Sequence, residues 1–370
     1  MKIVINTDQI YLHGGIEKVM ATKVNYWAGL PGVEVVIVTT EQQKHPACYP
    51  LDTKVKCIDL GINYNRSKSY FSLENLKKTL KHYQKQKKVF KDIQPDVIIS
   101  PNFNFDHYWL PFIKQKAKLL KERHGSRYFE AAQRVTGSFS RKIKFKLDDW
   151  IDSQYDHIIV LNEDEKKYVH SNNAVVIPNP VAESNLQADL SKKQVIAAGR
   201  IALVKGFGDL IVAWSIVHKE YPDWQLHFYG QDYLGTQAQL QKQIEDLHLE
   251  QVVLFKGNVD DLPKIMTQYS IFAMTSETEC FPMVLLESLS VGLPVVSYDS
   301  PNGPRNIIIH NHDGFIVPYK NIPIFAQQLK ALMKEENLRT QMGQKGIENV
   351  RRFSLDKVMQ KWEGLFNSPQ

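Results

Sequence analysis

The sequence has little cysteine and no long apolar run. Its three cysteines, Cys48, Cys57 and Cys280, are too few among 370 residues for a disulfide framework, and no Cys/His cluster has the spacing of a metal site. This content is typical of a reducing compartment. No apolar run reaches the roughly 18 residues that a membrane-spanning helix needs. The first ten residues turn polar too early for a secretory signal and predict a β-strand instead.

The overall composition is that of a folded protein. Apolar residues make up 43% and charged residues 23% of the chain, which excludes a mainly disordered, collagen-like or coiled-coil protein. At about 150 residues per domain, the length predicts two or three domains.

Positive charge is concentrated in the first half of the chain. Residues 1–180 carry 28 Lys and Arg against 19 Asp and Glu, whereas residues 181–370 carry 18 against 21. The net charge of +6 therefore combines a basic first half with a slightly acidic second half. A basic half suits an anionic partner such as a membrane, a lipid phosphate or a nucleic acid.

Short apolar runs alternate with helical stretches throughout the chain. Continuous runs of this kind are typical of strands that are covered on both faces of a parallel sheet. In the first half, helices are predicted at 17–30 and 73–91, and strands at Lys2–Asn6, Val33–Thr39, Asp96–Ser100, Ala117–Leu120 and His157–Leu161. The alternation predicts an α/β fold with a doubly wound sheet.

The same alternation restarts after a segment without an apolar run. Ile177–Asp189 contains two prolines and several small polar residues, and we interpret it as a linker. Beyond it, strands are predicted at 194–198, 225–229, 252–255, 271–274, 294–297 and 314–317. The sequence therefore predicts two successive Rossmann-like domains, at 1–182 and 193–351.

The strongest chemical signal is the segment 275–308, which follows a predicted strand and contains Glu279 and Glu287. A helix is expected to begin near Pro282, because proline suits a first helical turn. Its free N–H groups would form an anion site suited to a diphosphate. A carboxylate on either side could accept hydrogen bonds from hydroxyl groups. The alternative is that both glutamates are simply solvated.

Basic residues follow the first strand of the second predicted domain. Arg200 and Lys205, in the segment GRIALVKG, would lie at the carboxyl edge of that sheet, where open α/β sheets bind ligands. A guanidinium and an ammonium there could neutralise a diphosphate leaving group. The alternative is two solvated loop residues.

Together these two segments resemble the retaining glycosyltransferases of family 4, which have the two-domain GT-B fold. The resemblance extends to HGGIEKV at 13–19, VIPNPV at 176–181, FPMVLLES at 281–288 and DGFIVP at 313–318. The last two of these segments closely resemble members that build bacterial capsule and exopolysaccharide, and the chain as a whole resembles bacterial capsule, exopolysaccharide and lipopolysaccharide glycosyltransferases. The resemblance also implies that the C-terminal segment 352–370 packs back on the first domain.

The resemblance implies a role for each matching residue. Arg200 and Lys205 would stabilise the departing diphosphate, Glu279 would contact the donor sugar, and His124 would act near the reacting centre. The remaining donor contacts would come from Gly14, Gly15, Gly199, Phe281, Pro282, Met283 and Glu287. A tight turn at the two glycines and a structural role for His124 are the alternatives. Asn162 and Glu163 are weaker candidates at the edge of the site.

Three positions depart from the family pattern. Cys280 stands where glycine is common, Ser288 where alanine is common, and Asn306 where glutamate is usual. The first two should be tolerated. Asn306 bears on the identity of the donor sugar.

The implied activity is transfer of a hexose or N-acetylhexosamine with retention at the anomeric carbon. A UDP-sugar is the expected donor, and a glycan or polyprenyl-diphosphate-linked oligosaccharide is the expected acceptor. The sequence contains no Asp-x-Asp motif to hold a metal on the diphosphate. We therefore expect no metal and no other cofactor.

A basic amphipathic stretch predicts contact with an anionic membrane. Leu73–Lys91 has an apolar stripe and seven lysines, and basic residues continue as far as Lys146. Such a helix can lie on a membrane surface. The alternative is a stripe that packs on the sheet beneath solvated lysines. The expected location is cytoplasmic, at the inner face of the cell membrane.

Three other functions remain open from the sequence. Another GT-B enzyme, such as a nucleotide-sugar epimerase, would use the same donor residues. A non-catalytic subunit of a transferase complex is a second possibility. Nucleic-acid binding is suggested only by the basic half, and no recognition motif supports it, so no nucleic-acid partner is expected.

Overall fold

The computed structural model describes residues 1–101 and 104–368 and divides into two compact units. The first unit comprises Met1–Pro180 together with Val358–Gln370, and the second comprises Val181–Lys357. The division after Pro180 falls inside the proline-containing segment that we interpreted as a linker. Positions 369 and 370 of the predicted C-terminal segment lie outside the described residues.

The first unit is built on a seven-stranded parallel sheet with strand order β3-β2-β1-β4-β5-β6-β7. β-Branched residues dominate its central strands and are buried there, as a sheet covered on both faces requires. The strands are β1 Lys2–Thr7, β2 Glu34–Thr39, β3 Lys56–Asp59, β4 Val97–Ser100, β5 Lys118–Arg123, β6 His157–Val160 and β7 Ala174–Val176. The edge strands β3 and β7 are short and only partly buried, which is why their apolar pattern was not recognised.

Helices connect these strands and cover the sheet. They are α1 Gly15–Gly29, α2 Leu73–Ile93, α3 Leu110–Ile113, α4 Tyr128–Thr136, α5 Phe139–Asp152 and α6 Glu163–Lys166. Phe90 of α2 and Ile151 of α5 belong to one apolar cluster that also contains Val36, Ile98 and Leu119 of the sheet. Helices α2 and α5 therefore cover the same face of this sheet.

Strand β5 corrects one sequence-based prediction. The expected strand ended at Leu120 because charged residues follow, yet β5 continues to Arg123 and all its residues are buried. The charges are accommodated by partners on neighbouring elements: Lys121 Nζ lies 3.0 Å from Asp152 of α5, and Arg123 also pairs with Asp152. Such pairing is what allows charged groups to be buried.

The second unit repeats the architecture with a six-stranded parallel sheet of order β10-β9-β8-β11-β12-β13. Its strands are β8 Gln194–Ala198, β9 Gln225–Tyr229, β10 Val253–Gly257, β11 Ile271–Met274, β12 Val295–Tyr298 and β13 Gly314–Val317. Its helices are α7 Phe207–Val217, α8 Thr236–Asp246, α9 Leu262–Met266, α10 Met283–Ser290, α11 Ile322–Lys334 and α12 Glu336–Val350. The two parallel sheets confirm the predicted pair of doubly wound domains.

The last helix, α13 Leu355–Asn367, returns to the first unit. The Trp362 ring meets the Trp27 ring of α1 edge to face, with 5.9 Å between the centroids. At the end of the helix, Lys118 Nζ donates to the carbonyl oxygens of Leu365, at 2.8 Å, and Ser368, at 2.6 Å. A lysine suits this place because the last carbonyls of a helix lack partners and carry partial negative charge. The predicted return of the C-terminal segment is confirmed.

Across residues 1–101 and 104–368, each helix is too short or too polar to cross a bilayer.

Candidate functional site

Each sheet has one point at which the order of its strands reverses. In the first sheet this point lies between β1 and β4, and in the second between β8 and β11. The loops that leave such neighbouring strands diverge and open a crevice at the carboxyl edge, where ligands bind in α/β sheets. The predicted residues fall on these loops. Gly14 and Gly15 follow β1, Arg200 and Lys205 follow β8, and Glu279 follows β11.

In the second unit, the loops after β8 and β11 are joined by an ion pair. Lys205 Nζ lies 2.6 Å from Glu279 Oε1, and the two side chains are 25% and 13% exposed. The backbone adds a hydrogen bond from Glu277 N to the Val204 carbonyl, at 2.8 Å. The structure thus brings together two residues that the sequence placed 74 positions apart, and neither of them is simply solvated.

Gly206 makes this close approach possible. Its backbone is left-handed, with φ of 62°, and a Cβ atom there would lie closer than 3.0 Å to the Thr275 carbonyl oxygen. Thr275 in turn donates from Oγ1 to the Gly206 carbonyl, at 2.9 Å. Only glycine satisfies both the backbone conformation and the short distance.

The Glu279 loop is held from its other side by a second loop. Glu279 N donates to the Pro301 carbonyl at 3.0 Å, and Asn302 N donates to the Glu279 carbonyl at 2.8 Å. Asn306 Nδ2 donates to the Asn302 carbonyl at 2.7 Å. Asn306, the departure from the family pattern, therefore supports the strand-like pairing that carries Glu279.

Helix α10 begins at Met283, one residue after the predicted Pro282, which takes the N-cap position. As in any helix, the N–H groups of the first turn point outward from the helix start, because no preceding turn supplies carbonyl partners for them. Glu287 lies about 6 Å further along the helix axis and is buried, with 6% of the residue exposed. Phe281 and Pro282 are also buried beside the helix start.

The other two departures are accommodated within the core. Cys280 is buried. The Ser288 hydroxyl donates to the Leu293 carbonyl at 2.9 Å, which satisfies its buried polar group.

Arg200 lies on the surface of the same edge. Its guanidinium lies over the Tyr233 ring, 4.5 Å from the centroid. Gly199, the first residue after β8, donates from its amide to the Tyr229 carbonyl at 2.9 Å. The aromatic ring orients a cation that remains exposed to an incoming ligand.

In the first unit, the glycine loop is shaped by a carboxylate that the sequence analysis missed. Gln9 Nε2 donates to Glu17 Oε1 at 2.9 Å, and Gln9 Oε1 accepts from the amides of Tyr11 and Leu12. A Cβ atom on Gly14 would lie closer than 3.0 Å to Glu17 Oε2, whereas one on Gly15 would meet open space. Glu17 therefore occupies the space beside Gly14, and a side chain at position 14 would displace its carboxylate. Burial raises the pKa of the Glu17 carboxyl above its ordinary value.

His124 follows β5 and borders a pocket of about 330 Å³. The pocket is lined by Ile16, Pro101, Glu130 and the continuous segment 121–127. His124 Nε2 lies 3.1 Å from Glu122 Oε2, and Glu122 also pairs with Lys23 of α1 at 2.6 Å. The sequence analysis identified His124 but neither of the charged residues behind it. A lysine within a helix and a glutamate near a strand end are usually solvated, so the sequence alone does not mark Lys23 and Glu122 as a buried pair.

The two weaker candidates, Asn162 and Glu163, lie at the start of α6. Asn162 caps α6 by accepting a hydrogen bond from Glu165 N, at 2.9 Å. The Glu163 side chain is 76% exposed. Within residues 1–101 and 104–368, no group of three or more His, Cys, Asp or Glu side chains is arranged to hold a metal ion.

We predict that Gly206→Ala disrupts the Lys205–Glu279 site. The left-handed backbone costs a non-glycine residue about 1–3 kcal/mol, and the new methyl group would push the loop away from Thr275. The free energy of unfolding should therefore fall. Gly208→Ala, two residues further on in α7, is the matched control and should change the free energy of unfolding far less, because its added Cβ atom would meet only the flexible Gln243 side chain, at 3.2 Å. Urea unfolding of both variants measures the difference, and equal stability would refute the steric argument.

Both halves of the chain match glycosyltransferase families. The family described as Glycosyltransferase Family 4 matches residues 13–184, and the family described as Glycosyl transferases group 1 matches residues 181–349. Together they cover almost the whole chain, with the change between them at the linker.

Individual relatives and a solved structure agree with these families. An uncharacterized glycosyltransferase of Haemophilus influenzae is 24% identical over 95% of this chain and 96% of its own length. The amylovoran biosynthesis glycosyltransferase AmsD of Erwinia amylovora is 30% identical over 57% of this chain, and the match spans 62% of AmsD. The crystal structure of Staphylococcus aureus TarM with fondaparinux, alpha-GlcNAc-glycerol and UDP matches with a TM-score of 0.75 and 17% identity, over 99% of this chain and 100% of TarM. This likeness shows the GT-B fold. The chain belongs to the GT-B glycosyltransferases that combine a family 4 first domain with a group 1 second domain.

Proposed function

We propose that this protein transfers a hexose or N-acetylhexosamine, with retention, from a UDP-sugar to a lipid-linked glycan of the bacterial surface. The observation that carries the proposal is the Lys205–Glu279 pair, at 2.6 Å, beside the start of α10 at the switch point of the second sheet. Relationship to surface polysaccharide transferases such as AmsD supports the substrate class.

The charges of this edge suit a nucleoside diphosphate. Arg200 and Lys205 supply two cations, and the first turn of α10 supplies N–H groups with partial positive charge. In the proposed reaction these groups stabilise the negative charge that develops on the departing diphosphate. Glu287 would accept hydrogen bonds from the ribose hydroxyls. Glu279 would hold the Lys205 ammonium in place and contact the donor sugar.

The donor base and the stereochemistry are proposed from the likeness of this chain to TarM. The TarM crystals contain UDP and alpha-GlcNAc-glycerol, and the same fold suits a UDP-sugar donor and an α-linked product here. Retention would follow from attack on the same face that the diphosphate leaves, with the leaving phosphate accepting the proton of the acceptor hydroxyl. The bond from the anomeric carbon to the diphosphate breaks as the bond to the acceptor oxygen forms.

We predict that sugar transfer proceeds without a divalent metal. Neutralisation of the diphosphate would come from Arg200, Lys205 and α10, so EDTA should leave the rate of UDP release unchanged. Lys205→Met should abolish release in either condition, because it removes one of the two cations and the partner of Glu279. Loss of activity in EDTA that Mg²⁺ or Mn²⁺ restores would contradict this proposal.

We predict that UDP and UDP-sugars stabilise the wild-type protein and that Glu287→Ala weakens this effect. A ligand at 100 times its Kd raises the free energy of unfolding by about 2.7 kcal/mol, which thermal unfolding detects as a rise in Tm. Glu250→Ala, an exposed glutamate of the same unit, is the matched control and should respond as wild type does.

The comparison has two informative failures. Equal stabilisation of Glu287→Ala and wild type would remove Glu287 from the donor site. No stabilisation by any nucleotide would favour the non-catalytic subunit over the enzyme.

We also propose that the first unit docks on an anionic membrane, and helix α5 provides support. Its inner face is buried through Phe145 and Ile151. A second apolar stripe, 46% to 80% exposed, faces outward and consists of Phe139, Ile143, Leu147 and Trp150. The spacing of four, four and three residues places the stripe on one side of the helix. Exposed cations lie to either side of it at Lys142, Lys144 and Lys146.

Neighbouring helices extend this outer surface. Phe112 of α3 stacks on Trp150, with 6.0 Å between ring centroids and both residues more than half exposed. Helix α2 buries Asn75, His82, Gln86 and Phe90. Its leucines Leu73, Leu76 and Leu80 are 42% to 81% exposed. The alternative, in which the stripe packs on the sheet, therefore holds for Phe90 and Tyr83 but not for these three leucines. Exposed apolar side chains with flanking cations suit an interfacial position on anionic lipid.

We predict that the double variant Lys142→Glu/Lys146→Glu loses affinity for anionic vesicles. Each lysine near an acidic membrane surface contributes about 1 kcal/mol, so removing two should weaken binding about 30-fold or more. Lys242→Glu/Lys256→Glu, an equal charge change in the second unit, should bind as wild type does. Flotation with phosphatidylglycerol-containing and purely neutral vesicles measures the effect. Equal flotation of all three proteins, or binding independent of anionic lipid, would contradict docking by this surface.

A further inference from the structure

The first unit contains a buried ion pair that the donor site does not use. Lys23 Nζ, on α1, lies 2.6 Å from each carboxylate oxygen of Glu122, on β5. The two side chains are only 3% and 2% exposed. Removing two charges from water is costly, and well-packed apolar residues at such places are often equally stabilising. Stability alone is therefore a weak explanation for this pair.

The C-terminal helix covers the pair. Lys23 Nζ lies 4.6 Å from the centroid of the Trp362 ring and 6.0 Å from that of Trp27. An aromatic face attracts a cation and excludes water from it. The ammonium is thus held between the Glu122 carboxylate and α13.

The same carboxylate reaches the candidate active-site histidine. Glu122 Oε2 lies 3.1 Å from His124 Nε2, and His124 borders the 330 Å³ pocket. Burial alone would raise the pKa of Glu122, but the Lys23 ammonium and the contact with His124 lower it to about 2. The carboxylate is therefore ionised at neutral pH, with a cation on one side and the imidazole on the other.

Lys118, a buried lysine on the same strand as Glu122, has a purely structural set of contacts and provides a contrast. Lys118 and Glu122 are four residues apart on β5, so their side chains leave the same face of the sheet. The Lys118 ammonium donates to the last carbonyls of α13 and holds the helix end. Its interactions account for a structural role, whereas those of Glu122 extend to His124.

We propose that Glu122 is a positioning residue for His124, and that Lys23 and Trp362 hold Glu122 in the required place. The Glu122 carboxylate oxygen, 3.1 Å from Nε2, attracts the polar edge of the imidazole and so restricts the orientation of the ring at the edge of the pocket. The C-terminal helix thereby supports the candidate active site through Trp362. The importance of this support for sugar transfer rests on the proposed function.

Nitrogen NMR of the histidine ring tests the positioning without any ligand. His124 is assigned in ¹⁵N-histidine-labelled full-length protein from the signals lost in His124→Gln. The wild type should show one set of His124 ring signals, as expected for a ring held in one orientation. Glu122→Gln and the apolar double variant Lys23→Met/Glu122→Leu should both shift the His124 ring signals, whereas Lys118→Met should leave them in place. The double variant avoids a lone buried charge, and circular dichroism confirms that it is folded.

Two results would overturn the proposal. One is an unchanged His124 spectrum in the folded double variant and in Glu122→Gln. The other is an equal shift in Lys118→Met, which would assign the effect to general loosening of α13.

Kinetics separate this proposal from the proposed function. With the nucleotide-sugar that wild type consumes, the double variant should lose about 100-fold in kcat, the scale expected when a reacting group is misplaced by about 1 Å, with an unchanged donor KM. Wild-type kcat in the double variant would show that the positioning has no role in transfer. If wild type consumes none of the nucleotide-sugars, the proposed function fails, while the NMR comparison still decides whether Glu122 positions His124.

Discussion

The reversal of strand order in each parallel sheet decides where this protein can bind a ligand. Strands β8 and β11 are neighbours at the point where the strand order of the second sheet reverses. The loops that follow them diverge there and open a crevice at the carboxyl edge of the sheet. Lys205 and Glu279 come together there because Gly206 lets one loop approach Thr275 of the other. The remaining features of the candidate site in the second unit depend on this arrangement. The pairing of Glu279 with Asn302 and the start of α10 follow directly from the loop after β11.

The charged groups of the two candidate sites differ in their exposure to water. In the second unit, the Lys205–Glu279 pair is partly exposed and Arg200 lies over Tyr233 on the surface. Ligand can replace or join these interactions at little cost, because water already reaches them. In the first unit, Lys23 and Glu122 are closed off from water, so their geometry cannot adapt without the cost of an unpaired buried charge. Charged groups that water reaches suit the binding of an anionic donor. Charged groups that are buried suit the fixed orientation of a neighbouring side chain.

Much of the architecture could be predicted from the sequence, because continuous apolar runs report buried parallel strands directly. The loops that carry Arg200, Lys205 and Glu279 could also be placed at the carboxyl edge of the second sheet, since each follows a predicted strand. Strand β5 shows the limit of this approach. Lys121, Glu122 and Arg123 resemble a solvated loop, and only tertiary partners from α1 and α5 make their burial possible. The outward stripe of α5 was missed for a related reason, because periodicity does not distinguish an apolar face that is covered from one that is not. The direct pairing of Lys205 with Glu279 also required the structure.

The central claim is that this GT-B protein transfers a sugar from a nucleotide donor with retention. Proton NMR of the anomeric region tests it most directly, with UDP-glucose or UDP-N-acetylglucosamine and a bacterial lipid extract as acceptor source. The account predicts release of UDP together with a new α-anomeric signal that needs active protein and the acceptor extract. A β-anomeric product would contradict retention. UDP-sugar consumption without an acceptor-linked product would favour a different nucleotide-sugar enzyme, and no consumption would contradict the transferase assignment for these donors.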